Sequence, residues 1–187
     1  MTMSAKERVD KVAREIRSRL PLLRSSVAFN HAGIAPQPRG ESVESYERSR
    51  AEKLPGEALA AIAGSRREVC TAFGRMTNVS PEEIAITRNT AEGVNAVALG
   101  FPWKRGDRVL TVSVEYPSNV YPWWNLRDRG VEIDTVPERD GIVNIDEFRA
   151  AIRPETKLVA VSHVEFASGF AFDLGELSAI CRDRGLF

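Results

Sequence analysis

The hydrophobic positions of the chain follow helical spacing near the N-terminus. Val9, Val12 and Ile16 form one apolar stripe, which follows a Ser4–Glu7 pair with the spacing of a capping box. We predict that Pro21 ends this helix. Two further helices are predicted, a polar one near 41–53 and an apolar one over 57–75, with loop-like sequence over 24–40 between the first helix and these two.

From residue 80 the pattern becomes regular, because short β-rich runs alternate with helical runs. After a single turn at 80–83, the predicted strands are 83–87, 106–115, 131–137 and 156–164. The predicted helices are 90–101, 118–130, 144–152 and 173–185, and Gly130 and Gly185 serve as C-caps.

This alternation predicts an α/β fold with a mainly parallel sheet and helices on both faces. The last predicted helix is followed only by Leu186 and Phe187, whereas such a helix normally carries the chain to another strand. We therefore expect a chain truncated before the sheet is complete. The N-terminus begins with Met and a capped helix, so we expect it to be authentic.

Composition excludes several classes of protein. The 187 residues carry 26 Lys and Arg against 26 Asp and Glu, so no basic field favours nucleic acid or a membrane surface. No apolar run is long enough for a membrane span, and no secretory signal is present. Cys70 and Cys181 fall at apolar helix positions and are interpreted as small buried thiols, so a cytoplasmic location is expected.

The segment TRNTAEGVNAVALG, residues 87–100, joins a predicted strand to a helix. The first turn of such a helix exposes unpaired N–H groups that favour an anion, above all a phosphate. Thr90 adds a hydroxyl, and Ala91 and Gly93 allow close approach; an ordinary N-cap by Thr90 or Asn89 explains the pattern equally well. The sequence lacks both the G-x-G-x-x-G and the P-loop fingerprints.

Four segments in order resemble the class V aminotransferase family, which has PLP-dependent fold type I and includes cysteine desulfurases and isopenicillin-N-epimerase-like proteins. The resemblance implies a three-layer α/β/α fold and a pyridoxal 5′-phosphate (PLP) enzyme acting on a small amino acid. The family's enzymes are usually homodimers. The four segments are FNHAGIAPQP (29–38), TRNTAEGVNAVALG (87–100), VEYPSNVYPWW (114–124) and KLVAVSHVEFASGFAFDL (157–174).

The resemblance also implies roles for individual residues. Thr90, Ala91 and Glu92 would hold the phosphate, and Tyr116, Asn119 and His163 would line the cofactor ring. Asn30 and His31 would face the substrate. The Schiff-base lysine, and the aspartate that faces the pyridine nitrogen, are expected beyond Phe187, so no catalytic residue is assigned. None of the five lysines, Lys6, Lys11, Lys53, Lys104 and Lys157, follows a histidine as the family's lysine does.

Some positions depart from the desulfurase pattern. Ala91 replaces a threonine, Pro117 stands where desulfurases commonly carry a ring-stacking histidine, and Phe166 replaces an asparagine near the cofactor's phenolic oxygen. These differences favour the epimerase-like branch. Simpler interpretations stay open for several residues: packing at a strand end for Tyr116, local hydrogen bonding for His31 and His163, and aromatic core packing for Trp123 and Trp124.

We expect two parts, a helix and substrate loop at 1–40 and the first half of the large PLP-binding domain at 41–187. Two alternatives to a truncated PLP enzyme remain. One is a non-catalytic α/β module that associates with a full-length partner. The other is an unrelated α/β protein that binds a phosphate ester. No metal, nucleic acid or membrane partner is expected.

Overall fold

The computed structural model describes residues 4–24, 44, 47–48, 52 and 55–187, and it divides between Ile84 and Ala85 into two units. The first unit contains two long helices, α1 (Ala5–Arg19) and α2 (Pro55–Thr77). Of the helices within these described ranges, none combines the length and the apolar character that crossing a bilayer requires.

Helix α1 begins as the sequence predicts. The Ser4 hydroxyl accepts from the Glu7 amide at 3.2 Å, and the Glu7 carboxylate accepts from the Ser4 amide at 2.7 Å, which is a complete capping box. The helix ends at Arg19, and Pro21 opens a short 3-10 turn, Pro21–Arg24. The predicted helix over 41–53 lies largely outside the described residues, although 44, 47–48 and 52 are helical.

The second unit is built on a parallel sheet in the order β2-β1-β5, which confirms the predicted α/β fold. A short antiparallel pair, β3 with β4, follows β2 directly. The elements of this unit, in chain order, are α3 (Thr90–Gly100), β1 (Arg108–Val112), α4 (Tyr121–Trp124), β2 (Glu132–Val136), β3 (Glu138–Arg139), β4 (Ile142–Val143), α5 (Ile145–Ala151), β5 (Thr156–Val159) and α6 (Leu174–Arg184).

The alternation of side chains along β1 separates two apolar cores, one on each face of the sheet. Val109 packs into a core with Ala98 of α3 and Trp123 of α4. Leu110 and Val112 pack into the other core, whose members from α5 and α6 include Phe148, Leu177 and Ile180. Helices therefore cover both faces, and the three layers are those that the sequence predicts.

Two predicted elements are wrong. Residues 84–87 form no strand, since no neighbour pairs with them within the described residues, although Ile84 itself is extended. The predicted helix 118–130 is broken into a 3-10 turn at Pro117–Asn119, the single turn α4, and a 3-10 turn at Arg127–Arg129. Pro122 has no N–H, so it cannot donate the hydrogen bond to residue 118 that a continuous helix over 118–130 requires.

The predictions for Trp123, Trp124 and the cysteines have mixed outcomes. Trp123 is 3% exposed and packs in the core as predicted, whereas Trp124 is 43% exposed and stacks against the Arg127 guanidinium instead. Cys70 and Cys181 are half-buried rather than fully buried. Burial raises the pKa of the Cys181 thiol, which keeps it in its inert neutral form.

Candidate functional site

The first turn of α3 leaves two backbone donors free. The Asn89 side chain caps the helix by accepting from the Glu92 amide at 2.9 Å, and the Asn89 carbonyl accepts from the Gly93 amide at 3.3 Å. The amides of Thr90 and Ala91 have no partner within the described residues, and Thr90 is exposed. These amides, the Thr90 hydroxyl and the positive end of the helix dipole form a donor set suited to an anion.

The carboxylate of Glu92 is directed back toward Arg88. It accepts from the Arg88 amide at 2.6 Å and from the Arg88 guanidinium at 2.9 Å. The hydrogen bonds from Arg88 lower the pKa of Glu92, so the side chain stays ionised and paired. Glu92 therefore uses its amide to close the helix cap and its carboxylate to fix residue 88.

The carboxyl ends of β1 and β5 are joined through Glu115, which is buried. Its carboxylate accepts from the Tyr116 amide at 3.0 Å, from the Ser162 hydroxyl at 3.0 Å and from the Ser162 amide. Tyr116 follows β1, and Ser162 follows β5, so one side chain fixes the two segments that leave the sheet at this edge. In open α/β sheets, this is the edge at which ligands bind.

Two aromatic rings stand at the same edge. Tyr116 and Phe166 meet edge to face with ring centroids 5.0 Å apart. They are 52% and 61% exposed, so the pair is packed on itself but open to a ligand. An exposed ring face of this kind suits a planar heteroaromatic ligand.

Asn119 connects this edge to α3. Its amide donates to the Tyr116 carbonyl at 2.8 Å, and its side-chain oxygen accepts from the Trp123 indole at 3.0 Å. Helix α3 packs against the turn Pro117–Asn119 and against α4. The structure thus brings the predicted residues Thr90, Ala91, Glu92, Tyr116 and Asn119 to one side of the unit.

The remaining predicted site residues are His163, Asn30 and His31. His163 lies four residues beyond the end of β5, is exposed, and accepts through its carbonyl from the Phe172 amide at 3.0 Å. Its predicted contact with the cofactor ring remains a prediction. Asn30 and His31 lie outside the described residues, so their predicted role toward substrate also remains a prediction.

Glu165 is a buried acid that was not singled out from the sequence. It is 1% exposed, and neither carboxylate oxygen has a hydrogen-bond partner within the described residues. Burial raises its pKa to about 7, and the charges of Glu115 and Glu138 add to this effect. The alternation of the run VEF at 164–166 places this acid opposite Val164 and Phe166, which predicts it on the solvent side, so its burial is visible only in the structure.

The lysines of the second unit lie away from this edge. Lys104 is in the turn before β1, and Lys157 is the second residue of β5, where its ammonium group approaches the Pro154 carbonyl at 3.5 Å. Both therefore sit at the amino ends of parallel strands, opposite to the edge that carries Tyr116 and Phe166. Among the described residues, no group of three or more His, Cys, Asp or Glu could hold a metal ion.

Comparison with known proteins now adds a second line of evidence. The family model described as aminotransferase class-V matches residues 43–187. The chain belongs to the class V aminotransferase family. Among curated relatives, a probable cysteine desulfurase of Methanothermobacter thermautotrophicus is 31% identical over 177 residues, which cover 91% of this chain and 44% of the relative. A probable cysteine desulfurase of Pyrococcus abyssi is 31% identical, and the match covers 94% and 46%.

Solved structures similar to this chain share its fold. The apo cysteine desulfurase of Thermococcus onnurineus NA1 has a TM-score of 0.78 at 26% identity, over 93% of this chain and 46% of that one. A C-DES mutant with glycine covalently linked to its PLP cofactor has a TM-score of 0.77 at 23% identity, over 89% and 46%. The chain therefore has PLP-dependent fold type I and spans about half the length of these relatives.

Proposed function

We propose that these residues form the N-terminal half of a PLP-dependent enzyme of the class V family that acts on a small amino acid. The observation that carries the proposal is the pair of free amides at Thr90 and Ala91, at the start of a helix that packs against the turn Pro117–Asn119 beyond β1. Family membership supports PLP as the ligand whose phosphate occupies this turn.

Different groups of the site fit the phosphate and the pyridine ring of PLP. Free amides, a hydroxyl and a helix N-terminus suit a phosphate dianion. The exposed Tyr116 and Phe166 rings suit a planar pyridine. The lysine that holds the cofactor and the acid that faces its ring nitrogen are proposed to lie beyond residue 187, in the part of the relatives that this chain does not span.

Each residue then has a defined task. Thr90 and Ala91 donate to the phosphate, and Asn89 and Glu92 hold the turn in the shape that exposes those donors. Tyr116 presents its ring to the cofactor, with Asn119 and Glu115 fixing the backbone on either side of it. When bound, PLP supplies an electron sink for a carbanion at the substrate's α-carbon. Three further contacts are proposed: His163 contacts the cofactor ring, and Asn30 and His31 contact the substrate.

Within the family, the curated relatives support chemistry on cysteine, since they are named cysteine desulfurases. Pro117 and Phe166, at positions where desulfurases commonly carry histidine and asparagine, support the epimerase-like branch as the second candidate. A cytoplasmic homodimer is part of the proposal. The alternative from another functional class is a non-catalytic binding module, in which this half-fold associates with a full-length partner.

The proposal of a longer enzyme is tested by the intact mass of the protein made from its native gene. We expect a mass well above 20.7 kDa, with a lysine at the sheet edge supplied by the additional residues. A mass of 20.7 kDa would contradict a self-contained enzyme and would favour the binding-module alternative.

The phosphate assignment is tested by Thr90→Ala in the complete enzyme. Loss of one hydrogen bond to a charged phosphate should weaken PLP affinity roughly 10- to 100-fold, as measured by absorbance titration of the apo-protein. Thr71→Ala is the matched control, because that hydroxyl is bound to the Arg67 carbonyl within α2. Equal affinity for wild type and Thr90→Ala would overturn the assignment.

A further inference from the structure

The segment 161–172 folds back on itself beyond β5 and places Glu165 inside. The Glu165 amide donates to the Phe170 carbonyl at 2.8 Å, and the Phe172 amide donates to the His163 carbonyl at 3.0 Å. Val164 pairs with Ala171 in an antiparallel bridge. Because side chains alternate along such a segment, Val164 and Phe166 face outward at 52% and 61% exposure while Glu165 is 1% exposed.

The neighbouring acid, Glu115, is well satisfied as a carboxylate. It accepts three hydrogen bonds, from the Tyr116 amide and from the amide and hydroxyl of Ser162. Of its roughly four lone-pair positions, about one is then left to accept from another donor.

Glu165 has the opposite environment. Neither of its oxygens accepts a hydrogen bond from a described residue, so an ionised carboxylate here would be buried without a partner. The charged groups that act on it are Glu115, from the segment after β1, and Glu138, from β3, and both are acids. The Glu138 carboxylate is itself held by the Gly141 amide at 2.9 Å. Burial and charge therefore both favour the neutral acid at Glu165.

We propose that Glu165, which is buried without a hydrogen-bond partner among the described residues, acts as a pH-sensitive latch between segment 161–172 and the end of β1. Loss of the Glu165 proton leaves a buried negative charge without a partner within that part of the chain, and the acids Glu115 and Glu138 repel it. The segment relieves that repulsion by moving away, which carries Phe166 away from Tyr116. The latch is a property of the chain itself and does not depend on the cofactor.

The pH window follows from the pKa of Glu165, which is raised from an ordinary value of 4.5 to about 7. Between these two values, the folded protein binds a proton that the unfolded chain has lost. The contribution to stability is therefore full at low pH, falls as the pH rises through the window, and is lost above the folded pKa. The latch opens toward alkaline pH.

The variant Glu165→Gln tests the latch, because it keeps the shape of the protonated acid and cannot ionise. Urea unfolding is measured on wild type and variant from about pH 5 to about pH 8. The wild-type unfolding constant should rise relative to that of the variant by up to roughly tenfold per pH unit within the window. Glu155→Gln, at an exposed glutamate of the same unit, is the control and should leave the profile unchanged.

Two local measurements complete the test. Hydrogen exchange of the peptide covering 161–172, referenced to α6, should accelerate toward alkaline pH in wild type more than in Glu165→Gln. Carboxyl-carbon NMR of wild type labelled at glutamate needs no variant, and it should show one resonance titrating near neutral pH. A folded wild type in which every glutamate titrates below about pH 5.5 would overturn the proposal, as would a Glu165→Gln profile identical to that of wild type.

Discussion

Arg108 shows how a single residue joins neighbouring strands of the second unit. Its guanidinium makes a two-point contact with Asp134 of β2, at 2.6 Å and 2.7 Å, and also contacts Glu132. Only 15% of each side chain in the Arg108–Asp134 pair is exposed, so solvent screens the pair weakly. The Arg108 guanidinium holds the pKa of Asp134 below its usual range.

The pair predicts an acid-dependent loss of stability. Asp134→Asn should lower the free energy of unfolding by roughly 1.5–3 kcal/mol at neutral pH, because Arg108 loses a charged partner. A lowered folded pKa means that this contribution is present above the unfolded pKa and is lost as the pH falls through the folded one. The difference between wild type and variant should therefore shrink toward acid pH, as measured by urea unfolding.

The control for that measurement is the exposed ion pair between Glu15 and Arg19 on α1. Glu15→Gln should change the free energy of unfolding by less than about 1 kcal/mol at any pH. A pH-independent difference for Asp134→Asn would show that the contact contributes through packing rather than through charge.

Single residues were predictable where local backbone rules decide their role. Residues 89–93 lie at the start of a predicted helix, and the first turn of any helix exposes amides, so the free donors at Thr90 and Ala91 follow from the sequence. Glu165 was not predictable in the same way, because its burial depends on which face of segment 161–172 turns inward. The partnership of Glu115 with Ser162 joins residues 47 positions apart and is visible only in three dimensions.

At the scale of elements, the helix ends of the second unit are fixed by side-chain caps. Asp173 begins α6 by accepting from the Gly175 amide at 2.8 Å and the Glu176 amide at 3.0 Å. Gly185 ends it in the left-handed conformation at φ 64°, where glycine carries no steric penalty. Both ends of this helix are therefore predictable from the sequence, because the N-cap and the C-cap are residue types typical of those positions.

A matched pair of substitutions tests the contribution of this cap. Asp173→Ala should lower the free energy of unfolding by about 0.5–2 kcal/mol, since two amides lose their acceptor. Asp183→Ala, in the last turn of the same helix, should be neutral or slightly stabilising because it removes a negative charge from the negative end of the dipole. Thermal unfolding measures both, and equal losses for the two variants would contradict the account of the cap.

Strand and hairpin boundaries were the weaker predictions. The hairpin of β3 and β4 was missed although Asp140 and Gly141 form the Asp-Gly pair typical of its turn, with φ of 53° and 81°. The strand predicted at 156–164 ends at Val159, because residues beyond it turn away to form the folded-back segment. Periodicity predicts where an extended run can exist, whereas pairing with a neighbour decides where a strand ends.

At the scale of the molecule, the order of elements and the two cores identify the α/β layering, and the family comparison assigns the fold type. The alternation of strand and helix was sufficient to predict the layers from sequence. The division of the chain near residue 84 was not predicted, because long-range packing rather than local pattern decides it. The proposed domains at 1–40 and 41–187 remain a prediction.

The most direct test of the account is a crystal structure of the complete protein with PLP bound. We predict that the phosphate accepts from the Thr90 and Ala91 amides and the Thr90 hydroxyl, with the Tyr116 ring beside the pyridine. A phosphate bound elsewhere, with the first turn of α3 unoccupied, would contradict the central claim that the N-terminus of α3 is a cofactor site.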